Sequence, residues 1–166
     1  MYKPLTYTAA AAAFVAPPLL LVSDILLIRF ISEPGLLVQR IALGVFIVAI
    51  AGVALYTRGR AQWQAGGGAA LAVLGALAIV IRPSFLAAPV RPPAVLLPLG
   101  LLVLSSAMIG SNVSRQVAAF IAAGALLYPL AHQSGVPAAL IGGDVIFLIA
   151  FWSLGRRMTN PKPQIP

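Results

Sequence analysis

Long stretches without a charged residue restrict the fold of this chain more than any other feature. No Asp, Glu, Lys or Arg lies between Lys3 and Asp24, and similar apolar runs recur along the rest of the chain. Only 8% of the 166 residues are charged, whereas a soluble domain uses roughly 25% to cover its surface. A run of about 20 apolar residues is long enough to cross the hydrocarbon core of a bilayer as a helix. We therefore expect an integral membrane protein.

The apolar runs predict helices. Inside a bilayer every backbone amide must be hydrogen-bonded within the protein, so that only helices and closed barrels can span it. Barrel strands alternate apolar and polar side chains, but these runs are continuously apolar and the mean hydropathy is +1.02. The predicted fold class is all-α, a polytopic transmembrane helix bundle of about six spans. The expected spans are 5–28, 41–57, 65–81, 94–110, 116–133 and 137–157.

Proline and glycine mark the expected connections between spans. The segment 32–35, Ser-Glu-Pro-Gly, is predicted to be a turn, and Pro17 and Pro18 are predicted to kink the first helix. Residues 82–93 hold four prolines and are predicted to form an extended loop. We divide the chain into a transmembrane bundle, residues 1–157, and a soluble proline-rich tail, residues 158–166.

The basic residues predict how the bundle is oriented. Six spans would put both termini on one side of the membrane, together with seven of the 11 basic residues: Lys3, Arg58, Arg60, Arg115, Arg156, Arg157 and Lys162. Short loops rich in Lys and Arg stay cytoplasmic, so both termini are expected inside the cell. The net charge of +8 is therefore assigned to contact with lipid headgroups and not to nucleic acid. The use of Arg over Lys, with abundant Ala and Gly, favours a bacterial inner membrane.

Three ionisable residues fall in the outer half of the predicted bilayer: Asp24, His132 and Asp144. Asp144 lies about two helical turns, on the order of 10 Å, inward from Pro137. A charged aspartate near the bilayer centre costs on the order of 3 kcal/mol, so such residues usually face the bundle interior beside a partner. One hypothesis is a proton or cation site, with Asp144 neutral or paired to His132 and with Asp24 nearer the mouth.

The other hypothesis for Asp144 is structural. Polar side chains commonly hydrogen-bond between membrane helices, and Ser105, Ser106 or Tyr128 would be suitable partners for Asp144. Helix packing is also expected along a row of small residues at four-residue spacing. The residues assigned to helix packing are Gly68, Ala72, Ala76, Ser105 and Ser106.

The segment around Asp144 resembles a motif of the intramembrane aspartyl proteases, Gly-x-Gly-Asp. Its matching positions are Ile141, Gly142, Gly143 and Asp144, so the first glycine of the motif is missing. The resemblance implies two carboxylates that share a proton, but Asp24 stands in no recognisable motif. We expect no enzyme.

Other chemistry has little support in the sequence. With no cysteine and one histidine, we expect neither a cofactor nor a bound metal. The predicted function is a non-catalytic subunit or scaffold that packs with other membrane protein subunits, or with further copies of itself. The alternative is a small proton, cation or solute transporter or channel that uses Asp144.

Overall fold

The computed structural model describes residues 3–29, 32–57, 61–81, 95–109, 111 and 113–160, with the backbone alone for residues 3, 4, 32 and 132. The predicted loop 82–93 and positions 161–166 of the predicted tail lie outside the described residues. The described part of the chain is helical, with α1 at Lys3–Ile28, α2 at Ser32–Tyr56, α3 at Gln62–Ile81, α4 at Leu96–Ile109, α5 at Arg115–Ser134 and α6 at Pro137–Thr159.

Four of these helices are long and apolar enough to cross a membrane: Leu5–Ile28, Glu33–Tyr56, Gln62–Ile81 and Pro137–Thr159. The two others are shorter apolar helices, Leu96–Ile109 and Arg115–Ala131. A helix of 14 residues such as α4 rises about 21 Å, less than the hydrocarbon thickness of about 30 Å. The protein is therefore an all-helical bundle of membrane type, and its passage through the bilayer six times remains a prediction.

The helices form a ring in chain order. Each packs against the next one, and α6 closes the ring by packing against α1. Neighbours run antiparallel where close contacts define their register: Gly35 lies against Leu27 and Gly52 against Ala9 in the α1–α2 pair. The α1–α2 and α5–α6 connections therefore lie at the same end of the bundle, here called the Gly135 end after the residue that turns α5 into α6 with a φ of 65°.

The predicted turn at 32–35 is wrong, because α2 begins at Ser32. Pro34 is tolerated there because the first amides of a helix have no acceptor within the helix. Gly35 lets α2 approach α1 closely, since a Cβ atom at this position would lie 3.0 Å from Cδ2 of Leu27. As a consequence the second helix starts well before Ile41 and includes Gln39.

Two prolines lie inside α1, and one of them creates a contact with α6. Pro18 has no amide hydrogen, so the carbonyl of Phe14 loses the donor that an α-helix would supply. The indole Nε1 of Trp152 donates to this carbonyl oxygen at 3.0 Å. The helix is continuous through both prolines, from Lys3 to Ile28, and the freed carbonyl is satisfied by the neighbouring helix.

The backbones of α3 and α4 come into direct contact. A Cβ atom at Gly68 would lie 2.6 Å from the amide nitrogen of Leu104 and 2.9 Å from the carbonyl oxygen of Gly100. Ala72 and Ala76, one and two turns further along α3, are fully buried. The row of small residues in α3 therefore lies at the interface with α4.

Candidate functional site

Two buried aspartates meet between α1 and α6. Asp24 is 4% exposed and Asp144 is 2% exposed, and their carboxyl groups lie within hydrogen-bonding reach of each other. Oγ of Ser23 donates to the carbonyl oxygen of Leu20 at 2.7 Å and lies 3.4 Å from Oδ1 of Asp24. By helix rise, Asp24 lies about 6 Å inside the end of α1 and Asp144 about 10 Å inside the start of α6.

The chemistry of such a pair depends on whether either carboxyl group can donate a hydrogen bond. An ionised carboxylate only accepts hydrogen bonds, so two carboxyl groups bond to each other only when one of them holds a proton. Two adjacent negative charges in an apolar interior also repel strongly. A hydrogen bond between Asp24 and Asp144 therefore needs a proton on at least one of the two carboxyl groups, and a bound cation would balance two carboxylates in its place. Oδ2 of Asp144 is buried and accepts no hydrogen bond from the described part of the chain.

Tyr128 of α5 lies beside the pair. Its phenol is close enough to interact electrostatically with both Asp24 and Asp144, and it lines the same cavity as Asp144. Gly143, which precedes Asp144, faces Leu127, which precedes Tyr128. The α5–α6 register thus sets Tyr128 level with Asp144.

A small cavity adjoins the pair at the centre of the ring. Its volume is about 20 Å³, which is room for about one water molecule. Five helices contribute to its wall, which is apolar except for Tyr128 and Asp144: Leu20, Leu43, Phe46, Leu97, Pro98, Leu101, Ala125, Tyr128, Asp144 and Phe147. Asp144 therefore lies in the wall of a small, largely apolar cavity, and Asp24 lies beside it.

Gln39 of α2 is a further buried polar side chain, which the sequence reasoning missed. It is 4% exposed, and no group in the described ranges donates a hydrogen bond to its Oε1 atom. Leu43 and Phe46, one and two turns further along α2, line the cavity, so Gln39 shares their inward face. The spacing of Gln39, Leu43 and Phe46 was the available signal, but Gln39 precedes Ile41, where the second span was predicted to begin.

Gln39 also lies at the depth of Asp24. The contacts of Gly35 with Leu27 and of Gly52 with Ala9 set the antiparallel register of α1 and α2. This register places Gln39 opposite the helical turn that holds Ser23 and Asp24. We call the four side chains at this depth the polar layer: Asp24, Gln39, Tyr128 and Asp144.

An aromatic cluster lies on the other side of the cavity. The ring centroid of Phe46 is 5.9 Å from that of Phe147 and 4.8 Å from that of Phe151. The rings of Phe147 and Phe151 are 6.3 Å apart. Phe151 is two helical turns beyond Asp144, so the aromatic cluster extends to about 10 Å further from the Gly135 end.

The remaining predicted residues lie elsewhere or outside the described structure. The side chain of His132, the expected partner of Asp144, is not among the described side chains. The hydroxyl groups of Ser105 and Ser106 donate to carbonyl oxygens of their own helix, at 2.8 and 2.7 Å. Ser106 also accepts a hydrogen bond of 2.9 Å from Gln64. Neither serine hydroxyl therefore donates a hydrogen bond to Asp144.

No protein-family model, curated protein or solved structure matches this chain. Fold and site together define a helical bundle of membrane type with a buried acid pair in its interior. Within the described residues, no three His, Cys, Asp or Glu side chains form a group that could hold a metal ion. The function of the protein is therefore inferred from the polar layer.

Proposed function

We propose that this protein is a small ion transporter or channel in which Asp24 and Asp144 bind the transported proton or cation. The observation that supports the proposal is the meeting of the two carboxyl groups in the bundle interior. Ionisable side chains inside membrane helices usually mark ion pathways, because each is costly to insert, on the order of 3 kcal/mol. Here two such residues meet inside one bundle.

A purely structural role explains the pair less well. A hydrogen bond between two helices needs only neutral partners such as Ser, Asn or Gln. Here two acidic groups are buried, and among the described residues Oδ2 of Asp144 has no hydrogen-bond partner. A buried acceptor without a donor lowers stability by about 1–3 kcal/mol. Such an arrangement favours a site that binds and releases a positive charge.

The position of the pair suggests how an ion would cross. The polar layer lies toward the Gly135 end, and the aromatic cluster separates it from the opposite end. An ion that enters from the Gly135 end would reach Asp24 and Asp144, and further passage requires Phe46, Phe147 and Phe151 to move apart. Transport would then alternate between two conformations, as expected when access is gated by packed side chains.

The proposed orientation follows from the basic residues. Arg156 and Arg157 are exposed in the last turn of α6, opposite the Gly135 end. The positive-inside rule places them in the cytoplasm. In this arrangement the chain crosses a bacterial cell membrane six times, both termini are cytoplasmic, and the polar layer opens to the outside.

Flux measurements on reconstituted protein test the proposal. Liposomes containing a pH-sensitive dye, or a sodium-sensitive dye in parallel, would be energised by a potassium diffusion potential. We expect flux with wild type and with Glu33→Gln, a matched control because Glu33 is exposed at the start of α2. With Asp144→Asn the flux should fall to that of protein-free liposomes. Unchanged flux in this variant, or no flux of either ion with wild type, would contradict the proposal.

A second candidate is the non-catalytic subunit or scaffold. Its support is an exposed face of small residues on α3: a Cβ atom at Gly66 or Gly67 would meet nothing within 4 Å, and Ala70 is exposed. Trp63, on the first turn of α3, is 92% exposed. A partner helix or a second copy could approach closely at such a face. A clean monomer after purification in mild detergent, with no co-purifying protein, would argue against this role.

Hydrolysis by the acid pair is not proposed. The pair does have two carboxyl groups in contact, as acid proteases require. However, the cavity beside Asp144 has room for about one water molecule and none for a peptide segment. Ile141 also replaces the first glycine of the protease motif.

A further inference from the structure

We propose that the polar layer binds a monovalent cation of the Na⁺ class without its hydration shell, and that Gln39 is a ligand of this ion. The inference rests on the proposed function of Asp24 and Asp144, and it names the ion. In this arrangement the carboxyl groups supply negative charge from α1 and α6, and the Gln39 amide supplies a neutral oxygen from α2.

The first support is a pair of buried oxygen acceptors. Within the described residues, Oε1 of Gln39 and Oδ2 of Asp144 are both buried without a hydrogen-bond partner, although buried polar atoms in native proteins are nearly always paired. A proton shared by the carboxyl groups links Asp24 to Asp144 but does not reach the Gln39 oxygen. A cation between the three side chains can satisfy all of them at once.

The second support is position. Gln39 and the acid pair lie at one depth of the ring, according to the α1–α2 register and the contact of Asp24 with Asp144. On each of these three helices the inward-facing residue about one turn deeper lines the cavity, and these residues are Leu20, Leu43 and Phe147. The three polar side chains therefore lie at a similar depth on the inward faces of their helices, and Asp144 lines the cavity itself.

The third support is the chemistry of the ligands. All the available donor atoms are oxygens, which suit hard cations and not soft transition metals. Mg²⁺ usually keeps several water molecules when bound, and Ca²⁺ takes about 6–8 oxygen ligands. The cavity of about 20 Å³ holds about one water molecule, so a hydrated divalent ion does not fit. A small monovalent ion that has shed its water does.

Binding of the cation would displace the shared proton. The oxygens of Asp24 and Asp144 that hold the proton are the ones that coordinate the ion, so cation uptake releases a proton and proton uptake releases the cation. Tyr128, which α5 places beside the pair, keeps its place in the polar layer in both states. The two ions thus compete for one site.

Direct binding of radioactive sodium to the purified full-length protein in detergent tests this inference. We expect saturable binding that unlabelled Na⁺ displaces better than K⁺ or Ca²⁺ does. Gln39→Leu should weaken binding about tenfold, the change expected for loss of one oxygen contact worth about 1.4 kcal/mol. Gln39→Glu, which keeps a side-chain oxygen, should retain binding. Gln133→Leu is the control, because Gln133 is exposed on α5.

The outcomes separate this inference from the proposed function. No saturable sodium binding, or equal binding by wild type and Gln39→Leu, would overturn the inference, and proton flux that depends on Asp144 would still support the proposed function. Displacement by K⁺ or Ca²⁺ at lower concentration than Na⁺ would overturn the assigned ion. Sodium binding that Gln39→Leu weakens, together with liposomes that carry neither ion, would support the site and contradict transport. Loss of binding in both Gln39 variants would contradict the role of the amide oxygen.

Discussion

The indole N–H of Trp152 donates a hydrogen bond of 3.0 Å to the carbonyl oxygen of Phe14, the carbonyl that Pro18 leaves without its helical donor. The two rings also meet edge to face, with their centroids 6.2 Å apart. This contact joins the two helices that carry the acid pair, about 15 Å from Asp24 along α1. It therefore helps to fix the register in which Asp24 lies opposite Asp144.

Replacing Trp152 should destabilise the bundle, because the hydrogen bond to the Phe14 carbonyl is lost. Trp152→Phe keeps an aromatic ring but removes the donor, and we expect a loss of about 0.5–1.5 kcal/mol in the free energy of unfolding. In a Pro18→Ala background the amide of residue 18 again supplies the Phe14 carbonyl, so the same substitution should cost much less. The free energy of unfolding can be measured in mixed detergent micelles for the wild type, the two single variants and the double variant. Equal costs in both backgrounds would show that the freed carbonyl is not what Trp152 stabilises.

Glycine substitutions in α3 should separate the helix interface from the exposed face. Gly68→Ala places a methyl group against the backbone of α4 and should destabilise the protein by about 1–3 kcal/mol, the usual range for overpacking. Gly66→Ala meets nothing within 4 Å and should be neutral or stabilising by up to about 1 kcal/mol through helix propensity. Thermal unfolding in detergent compares them. A similar effect at both positions would argue against the close α3–α4 contact.

Removal of a ring from the aromatic cluster should open the bundle interior. In lipid the transfer part of the usual cost is small, so Phe46→Ala should lose packing energy on the order of 2 kcal/mol. Because the cluster separates the polar layer from the opposite end, we also expect a higher passive leak of protons into liposomes. Phe120→Ala, at an exposed position of α5, is the control and should leave the leak unchanged. If Phe46→Ala does not increase the proton leak, the barrier to protons lies outside the aromatic cluster.

The proposed number of passes can be tested by labelling, because the chain has no natural cysteine. Gln62→Cys and Asn160→Cys place a thiol at exposed positions opposite the Gly135 end, and Ser134→Cys places one at that end. In inside-out vesicles an impermeant maleimide should label the first two positions from outside and leave the third unlabelled. Labelling of Gln62 and Asn160 from different faces would contradict the proposed topology.

Much of the architecture could be predicted from the spacing of charged residues, since long uncharged runs become helices wherever the solvent is lipid. The start of α2 could not, because Glu33, Pro34 and Gly35 favour a turn when read locally. Pro34 loses no hydrogen bond in the first turn of a helix. Gly35 is required because Leu27 of α1 packs against it, and this contact is visible only in the three-dimensional structure. Local turn chemistry was overruled by the packing of α1 against α2.

The site was predictable only in part. Asp144 stood out because it is an acidic residue inside an apolar helix, and counting residues from the helix ends put Asp24 in the same half of the bilayer but nearer the mouth. Which side chain would face Asp144 depends on the rotation of α1 and α6 about their axes. Continuously apolar helices have no polar face to reveal that rotation. Gln39 was missed because it lies outside the predicted span 41–57 and next to the charged Arg40.

Infrared spectroscopy of the purified protein tests most directly whether Asp24 and Asp144 share one positive charge inside the bundle. In sodium-free buffer at neutral pH, wild type and Glu33→Gln should show the carbonyl band of a protonated carboxylic acid, and addition of Na⁺ should remove it. Asp24→Asn and Asp144→Asn should each shift this band or abolish it, because each substitution ends the sharing between the two carboxyl groups. A wild-type spectrum without the band, or one that neither substitution changes, would show that the two aspartates do not form this pair.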